Sequence, residues 1–176
     1  MLFRSTKKDK KSLKWAIENN IKIISQSFVE NKRDIDHIRK YICEINGDLK
    51  SIKLLSKIET NLGVDNFKEI IRYSDGIIIA RGDLIPECGL INSVDKEFDL
   101  LLKVKKYEKE KEVIIATHIL DNMRKGIIPN INELESIYTF VNLGVTGFLL
   151  ASETSIGNYP VKSVEMLKIL INLYKK

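Results

Sequence analysis

Two charged residues, Lys57 and Glu59, lie where the sequence predicts the end of a buried strand. The stretch before them, Ile52-Lys53-Leu54-Leu55, is mostly apolar and typical of such a strand. Side chains alternate along a strand, so residues two apart point to the same face. A lysine and a glutamate that share a hidden face either form a structural ion pair or hold a ligand, and their spacing leaves both interpretations open.

Polar residues also follow the other predicted strands. The carboxyl ends of parallel strands meet at one edge of a sheet, which is where ligands bind in α/β folds. We therefore expect the polar residues at the strand ends to gather into one site. In chain order they are Ser27, then Lys57 and Glu59, then Arg81, Gly82 and Asp83, then Thr117 and His118, and finally Ser152, Glu153 and Thr154.

The chemistry of this set suits a metal ion and an anionic substrate. Glu59 and Asp83 could share Mg²⁺, which takes one or two protein carboxylates and completes its octahedron with substrate oxygens and water. Lys57 would add a fixed positive charge, the backbone N–H groups around Gly82 would approach an anion, and Thr117 offers a hydroxyl. We expect an oxygen-rich acid held against the metal, with negative charge stabilised as it develops.

Apolar strand patterns alternate with amphipathic helix patterns along the chain, after one initial helix. The third helix carries the apolar stripe Val64 to Ile71, and the next is marked by Val94, Phe98, Leu101 and Leu102. This alternation predicts an α/β fold with a parallel sheet, either an open sheet or part of a barrel. The predicted strands are Ile21–Phe28, Lys53–Lys57, Gly76–Ala80, Val113–Thr117 and Gly147–Ala151.

Length and composition exclude several classes of protein. A chain of 176 residues with 44% hydrophobic residues suits one domain with a sizeable core. The net charge is +5, but the lysines are interspersed with glutamates and do not form a basic stripe with interleaved aromatic residues. This pattern argues against nucleic-acid binding. No apolar run approaches the roughly 20 residues of a membrane span, and two cysteines form no disulfide or metal pattern. We expect a cytoplasmic protein.

Simpler interpretations compete at several of these positions. Arg81-Gly82-Asp83 as an integrin-type adhesion motif is a short string with little specificity. His118 is interpreted as a loop or helix-start histidine rather than a metal ligand, because no second histidine or cysteine stands near it. Glu153 could simply cap the turn before Gly157.

Three segments closely resemble the central barrel of pyruvate kinase: Ser56–Thr60, Gly63–Phe67 and Ser74–Leu84. The resemblance extends to Val113–Thr117 downstream, and then to Ala151–Thr154 with Gly157–Pro160, so it covers nearly the whole chain. It implies an α/β fold that is a partial (β/α) TIM-like barrel, with five parallel strands alternating with helices. Residues 1–176 would then form a single truncated barrel domain.

The resemblance also implies roles for individual residues. Lys57 would be the lysine beside the transferring phosphoryl group and the enolate, and Glu59 and Asp83 would bind Mg²⁺. Thr117, with the backbone around Gly82 and Asp83, would hold the carboxylate of phosphoenolpyruvate or pyruvate. Lys57 and Thr117 are therefore the expected catalytic residues. The expected substrate-binding residues are Ser27, Lys57, Gly82, Asp83 and Thr117, and Arg81, His118 and Glu153 are further candidates.

The sequence departs from the family's pattern in several places. The match does not include the barrel's first three strands, which carry the monovalent-cation (K⁺) site and much of the nucleotide contact, or the lid and regulatory domains. Glu30 stands where the family usually has arginine, and His118 replaces its glutamine. Ala151-Ser152 replaces serine-glycine, which removes a hydroxyl of the proton-delivery group, and Asn130–Glu133 lacks the usual arginine.

These features lead to one main hypothesis and two alternatives. The main one is a pyruvate-kinase-like protein that binds Mg²⁺ and phosphoenolpyruvate or pyruvate, nominally transferring a phosphoryl group to and from ADP. Five strands cannot close an eight-stranded barrel, so activity is expected to need a homo-oligomer or a complementing chain. The first alternative is an inactive binding or regulatory module. The second is a metal-dependent oxo-acid lyase or decarboxylase that needs no nucleotide.

Overall fold

Five parallel strands form one sheet, and their order across the sheet is their order in the chain. The computed structural model describes residues 6–45, 47–108 and 110–175. The predicted strands are all present, with ends that differ by a few residues at most positions. They are β1 Ile23–Gln26, β2 Lys53–Ile58, β3 Gly76–Ala80, β4 Glu112–Ala116 and β5 Gly147–Leu149.

Helices connect the strands, and the predicted ones are present. The predicted third helix is divided into two short helices that meet at Asn66. One further helix begins directly after β3 and was not predicted, because it contains Gly82 and Pro86, which usually mark turns. The helices are α1 Lys7–Glu18, α2 Lys32–Glu44, α3 Asn61–Asp65, α4 Phe67–Tyr73, α5 Arg81–Cys88, α6 Leu90–Tyr107, α7 Ile131–Asn142, α8 Ser152–Ser155 and α9 Pro160–Tyr174, with a 3-10 turn at Asp121–Arg124.

The two faces of the sheet are covered differently. Parallel connections are right-handed, so a sheet whose strands follow chain order carries its helices on one face. That face bears the main core, to which the strands contribute residues such as Leu54, Ile77 and Ile115. The opposite face bears only a small cluster around Leu55 and Ile78. Helices on a single face are typical of a (β/α) barrel, so the predicted α/β class and partial TIM-like barrel are confirmed.

Both edge strands of the sheet are exposed. Ile23 in β1 is 54% exposed, and Leu149 in β5 is exposed as well. An edge strand presents unpaired backbone groups to which another strand can add. Within the described ranges, no helix combines the length and the apolar character needed to cross a membrane.

Gly76 begins β3 at a point where neighbouring atoms leave no room for a side chain. A Cβ there would lie 2.6 Å from the backbone oxygen of Glu112 and 2.9 Å from Cδ2 of Leu55. Gly76→Ala is therefore expected to lower the free energy of unfolding by about 2 kcal/mol, as overpacking does. Urea unfolding measures this loss.

Gly126→Ala is the matched control for that substitution. A Cβ at Gly126 would meet only the backbone oxygen of Asn122, at 3.6 Å, which is ordinary van der Waals contact. Equal stability of the two variants would contradict the packing argument.

Candidate active site

The predicted site residues all lie at the carboxyl ends of the strands. Ser27 follows β1, Lys57 is the penultimate residue of β2, and Glu59 follows that strand. Asp83 lies exposed in the first turn of α5, which begins directly after β3. Thr117 follows β4. The continuous pairing of neighbouring strands brings these ends to one edge of the sheet.

Lys57, Glu59 and Ser27 form a connected cluster. Nζ of Lys57 lies 2.5 Å from Oε1 of Glu59 and donates to Oγ of Ser27 at 3.3 Å. The Glu59 side chain is only 1% exposed, and its Oε2 accepts the N–H of Phe28 at 2.6 Å. Phe28 has a left-handed backbone with φ of 54°. The ion pair considered for Lys57 and Glu59 is thus present. The same carboxylate also holds the backbone after β1 by accepting the N–H of Phe28.

One oxygen of this buried carboxylate remains without a hydrogen bond. Nζ of Lys57 is close to Oε1 of Glu59 but is not aligned for a hydrogen bond. No other donor in the described ranges forms a hydrogen bond with this oxygen. Among the residues described, Oε1 is held only by its ion pair with Lys57, so it keeps lone pairs that a second cation could accept. A carboxylate with one free oxygen fits Mg²⁺, which prefers oxygen ligands.

The protein alone supplies few ligands for such an ion. Among residues 6–45, 47–108 and 110–175, no three histidine, cysteine, aspartate or glutamate side chains converge as a metal site. Glu59 and Asp83 would therefore act as a pair, which matches the coordination habit of Mg²⁺, since substrate oxygens and water fill most of its octahedron.

Thr117 and His118 form a strained turn after β4. Their φ angles are 67° and 52°, in the left-handed region that non-glycine residues rarely adopt. Arg81 stabilises the turn: its Nε and Nη2 donate to the Thr117 carbonyl at 3.1 and 2.7 Å, and Nη2 also donates to the His118 carbonyl at 2.6 Å. The side chain of Arg81 is largely buried, so the adhesion-motif interpretation is wrong for this tripeptide.

The Thr117 hydroxyl links this turn to α5. Its Oγ1 accepts the N–H of Gly82 at 2.8 Å and donates to the carbonyl of Ala116 at 2.6 Å. The N–H of Gly82, which we expected to contact a substrate carboxylate, is therefore used within the chain. The hydroxyl in effect caps the N-terminus of α5, whose own preceding residue provides no side-chain cap.

Glu97 of α6 is a buried charged neighbour of Arg81 that sequence reasoning missed. It is 4% exposed, and its Oε1 lies 3.8 Å from Nε of Arg81 without a hydrogen bond. Burial raises the pKa of Glu97 to about 7, although the charge of Arg81 opposes this rise. Burial likewise lowers the pKa of Arg81. The guanidinium also lies 5.4 Å from the ring centroid of Phe140, a cation–π distance.

The buried face of α6 agrees only in part with the predicted one: Leu101 is buried and Phe98 packs against the core. Val94 and Leu102, which were assigned to the apolar stripe, are exposed. The buried residues of this helix are Ser93, Glu97, Leu100, Leu101 and Val104. Helical spacing from Ser93 to Leu100 and Val104 was the signal that could have revealed Glu97.

His118 is paired with a residue that sequence reasoning did not select. Its Nδ1 lies 2.6 Å from Oδ2 of Asp121, and the other oxygen of Asp121 accepts the hydroxyl of Ser152 at 3.2 Å. A carboxylate three residues after the histidine, at the start of a turn, was the available signal.

Glu153 has both carboxylate oxygens occupied by the backbone. Oε1 accepts the N–H groups of Ile119 and Leu120 at 3.2 and 2.9 Å, and Oε2 accepts that of Ala151 at 2.8 Å. The residue is fully buried. These contacts favour a role in joining the chain after β4 to the chain after β5.

The sequence matches one protein family along most of its length. The family described as "Pyruvate kinase, barrel domain" matches residues 2–164. The chain is 36% identical over 159 residues to the pyruvate kinase of Methanocaldococcus jannaschii, covering 90% of this chain and 34% of that protein. For Chlamydia muridarum the identity is 33% over 171 residues, covering 97% and 35%.

A eukaryotic relative gives the same result. The pyruvate kinase of Dictyostelium discoideum is 35% identical over 164 residues, which are 92% of this chain and 31% of that protein. The chain thus spans about a third of the length of the curated relatives it matches. With the barrel-domain match, these identities confirm the predicted resemblance, and the chain belongs to the pyruvate kinase family.

Proposed function

We propose that the chain binds Mg²⁺ together with phosphoenolpyruvate, pyruvate or a similar small acid at the carboxyl ends of β2 and β3. The observation that carries this proposal is the buried carboxylate of Glu59, whose Oε1 lacks a hydrogen bond beside the ammonium group of Lys57. Membership of the pyruvate kinase family supports the same ligands. The nominal reaction is phosphoryl transfer between phosphoenolpyruvate and ADP.

Each residue would have a distinct task in this site. Glu59 and Asp83 would hold the metal, which supplies positive charge to the substrate oxygens. Lys57, fixed by Ser27 and Glu59, would keep a second positive charge at the place where negative charge develops. Thr117 holds the start of α5, which carries Asp83, in position by accepting the N–H of Gly82.

Phosphoryl transfer also requires a positioned nucleotide. We place ADP or ATP binding in an assembly rather than in the single chain. The exposed edges β1 and β5, with Ile23 and Leu149 uncovered, are where a second copy or a complementing chain would add strands. In this proposal residues 1–176 act as one domain that contributes the metal and the enolpyruvate contacts.

Calorimetric titration of oxalate, an enolate analogue, tests the binding site directly. The wild-type chain is expected to bind oxalate only with Mg²⁺ present. Asp83→Ala should weaken that binding at least about tenfold, because the metal loses one of its two protein carboxylates.

Glu87→Ala provides the matched control. Glu87 is an exposed carboxylate on the same helix, α5, but lies beyond its first turn. Its removal should leave the affinity for oxalate unchanged. Oxalate binding that needs no Mg²⁺, or equal affinity in all three proteins, would rule out the proposed metal site.

A further inference from the structure

The imidazole of His118 is held at one nitrogen and open at the other. Nδ1 lies 2.6 Å from Oδ2 of Asp121, and the side chain is 51% exposed. In the neutral ring, the carboxylate accepts the Nδ1 proton, so the lone pair lies on Nε2. No hydrogen-bond partner reaches Nε2 from the described part of the chain. A base oriented by a carboxylate behind it is the arrangement used for proton transfer.

Several contacts fix this pair in place. The other carboxylate oxygen of Asp121 accepts the hydroxyl of Ser152 at 3.2 Å. The following residue, Asn122, donates its N–H to buried Glu133 at 2.7 Å. Arg81 holds the carbonyl of His118 at 2.6 Å, with the backbone at a φ of 52°. Residues held in sparsely populated backbone conformations by their surroundings cluster at active sites.

His118 is next in the chain to a residue that contacts the proposed substrate site. It follows Thr117, whose hydroxyl accepts the N–H of Gly82 at 2.8 Å, and Gly82 directly precedes Asp83. The geometry points to His118 as an acid–base residue that moves a proton at the carbon next to the carbonyl of a bound 2-oxo acid, with Asp121 as its positioning residue. This inference rests on the proposed binding of such an acid.

The proton transfer is balanced without any other reactant. Nε2 of neutral His118 takes a proton from C3 of the 2-oxo acid. The C3–H electron pair becomes the C2–C3 double bond, and the carbonyl electrons move to the oxygen, which gives the enolate. In reverse, protonated His118 delivers a proton to C3 and restores the 2-oxo acid. The exposed ring then exchanges its proton with water.

Exchange of the methyl protons of pyruvate in D₂O measures this activity. The reaction is followed by proton NMR with Mg²⁺ and without nucleotide. His118→Gln is expected to slow the exchange about 100-fold, since general acid–base groups contribute roughly 10²–10⁴. Asp121→Asn should slow it less, about tenfold. His37→Gln is the matched control, because His37 is the other histidine and lies exposed on α2, and it should exchange at the wild-type rate.

NMR of the labelled imidazoles gives a second readout that does not depend on turnover. With two histidines in the chain, ¹⁵N spectra of His37→Gln assign the signals of His118. We expect the Nδ1–H tautomer for His118, a shift of its Nε2 signal when oxalate and Mg²⁺ bind, and a mixed tautomer in Asp121→Asn. An unchanged tautomer in Asp121→Asn would overturn the positioning role of Asp121.

The outcomes separate this inference from the proposed function. If wild type binds oxalate but does not exchange pyruvate protons, or if His118→Gln exchanges at the wild-type rate, His118 has only a structural role in the turn and the inference is wrong. If wild type fails to bind oxalate, the proposed function is wrong, and the inference that rests on it is wrong as well. Wild-type oxalate affinity in His118→Gln, together with slow exchange, supports both.

Discussion

Arg81→Met is expected to lower the free energy of unfolding by about 3–5 kcal/mol, the range for removing one partner of a buried ion pair. The substitution leaves Glu97 buried without its cation. It also removes the donors to the carbonyls of Thr117 and His118, whose left-handed backbones depend on them. Urea unfolding at pH 8, where Glu97 with its pKa of about 7 is mostly ionised, followed by circular dichroism, measures the loss.

Two further variants identify its cause. Arg33→Met removes an exposed arginine from α2 and should change stability by less than about 0.5 kcal/mol. Adding Glu97→Gln to Arg81→Met should restore part of the lost stability, because a neutral amide is less costly to bury alone than a carboxylate. A single Arg81→Met variant as stable as wild type would show that the guanidinium does not support the turn.

The free energy of unfolding is expected to fall as the pH rises from about 4.5 to 7, owing to Glu97. Its pKa is about 7 in the folded chain, against an ordinary value of 4.5. Between these values the folded state keeps a proton that the unfolded state has released. The stabilisation is therefore complete below pH 4.5 and is lost as the pH passes 7. Its full size is about 3 kcal/mol, because a tenfold change in proton affinity corresponds to about 1.4 kcal/mol.

Glu97→Gln isolates this contribution from those of all other titrating groups. The variant cannot ionise at that position, so its stability curve should lack the decline that Glu97 causes. Subtracting the two curves, each measured by urea unfolding at intervals of half a pH unit, should give a difference that changes mainly between pH 4.5 and 7. Parallel curves for the two proteins would contradict a raised pKa.

The strands and the polar residues at their ends could be predicted, because both depend on local sequence patterns. Apolar runs bounded by polar residues marked each strand, and the common edge of a parallel sheet brought Ser27, Lys57 and Glu59 together. The helix α5 could not be predicted in the same way. Gly82 and Pro86 usually signal a turn, yet the hydroxyl of Thr117 provides the capping contact that its N-terminus needs.

The contacts that stabilise the Thr117–His118 turn join residues that are distant in sequence, which explains why these contacts were not predicted. Thr117 carries no local signal for a left-handed backbone, since it is β-branched and not a glycine. The stabilising Arg81 lies 36 residues before Thr117. Glu97 lies beside Arg81 because α6 packs with that face toward the core. The predicted apolar stripe, which included Val94 and Leu102, assigned a different face of α6 to the core.

The strand order of the sheet has a consequence for how the chain is made. Each strand pairs with the one synthesised just before it, so a growing chain can complete every pairing as soon as the next strand leaves the ribosome. No strand has to wait for a partner that is distant in the sequence, which keeps the cost of closing each loop low. For the same reason, adding or removing one strand with its helix at either end of the sheet would change a single strand pairing.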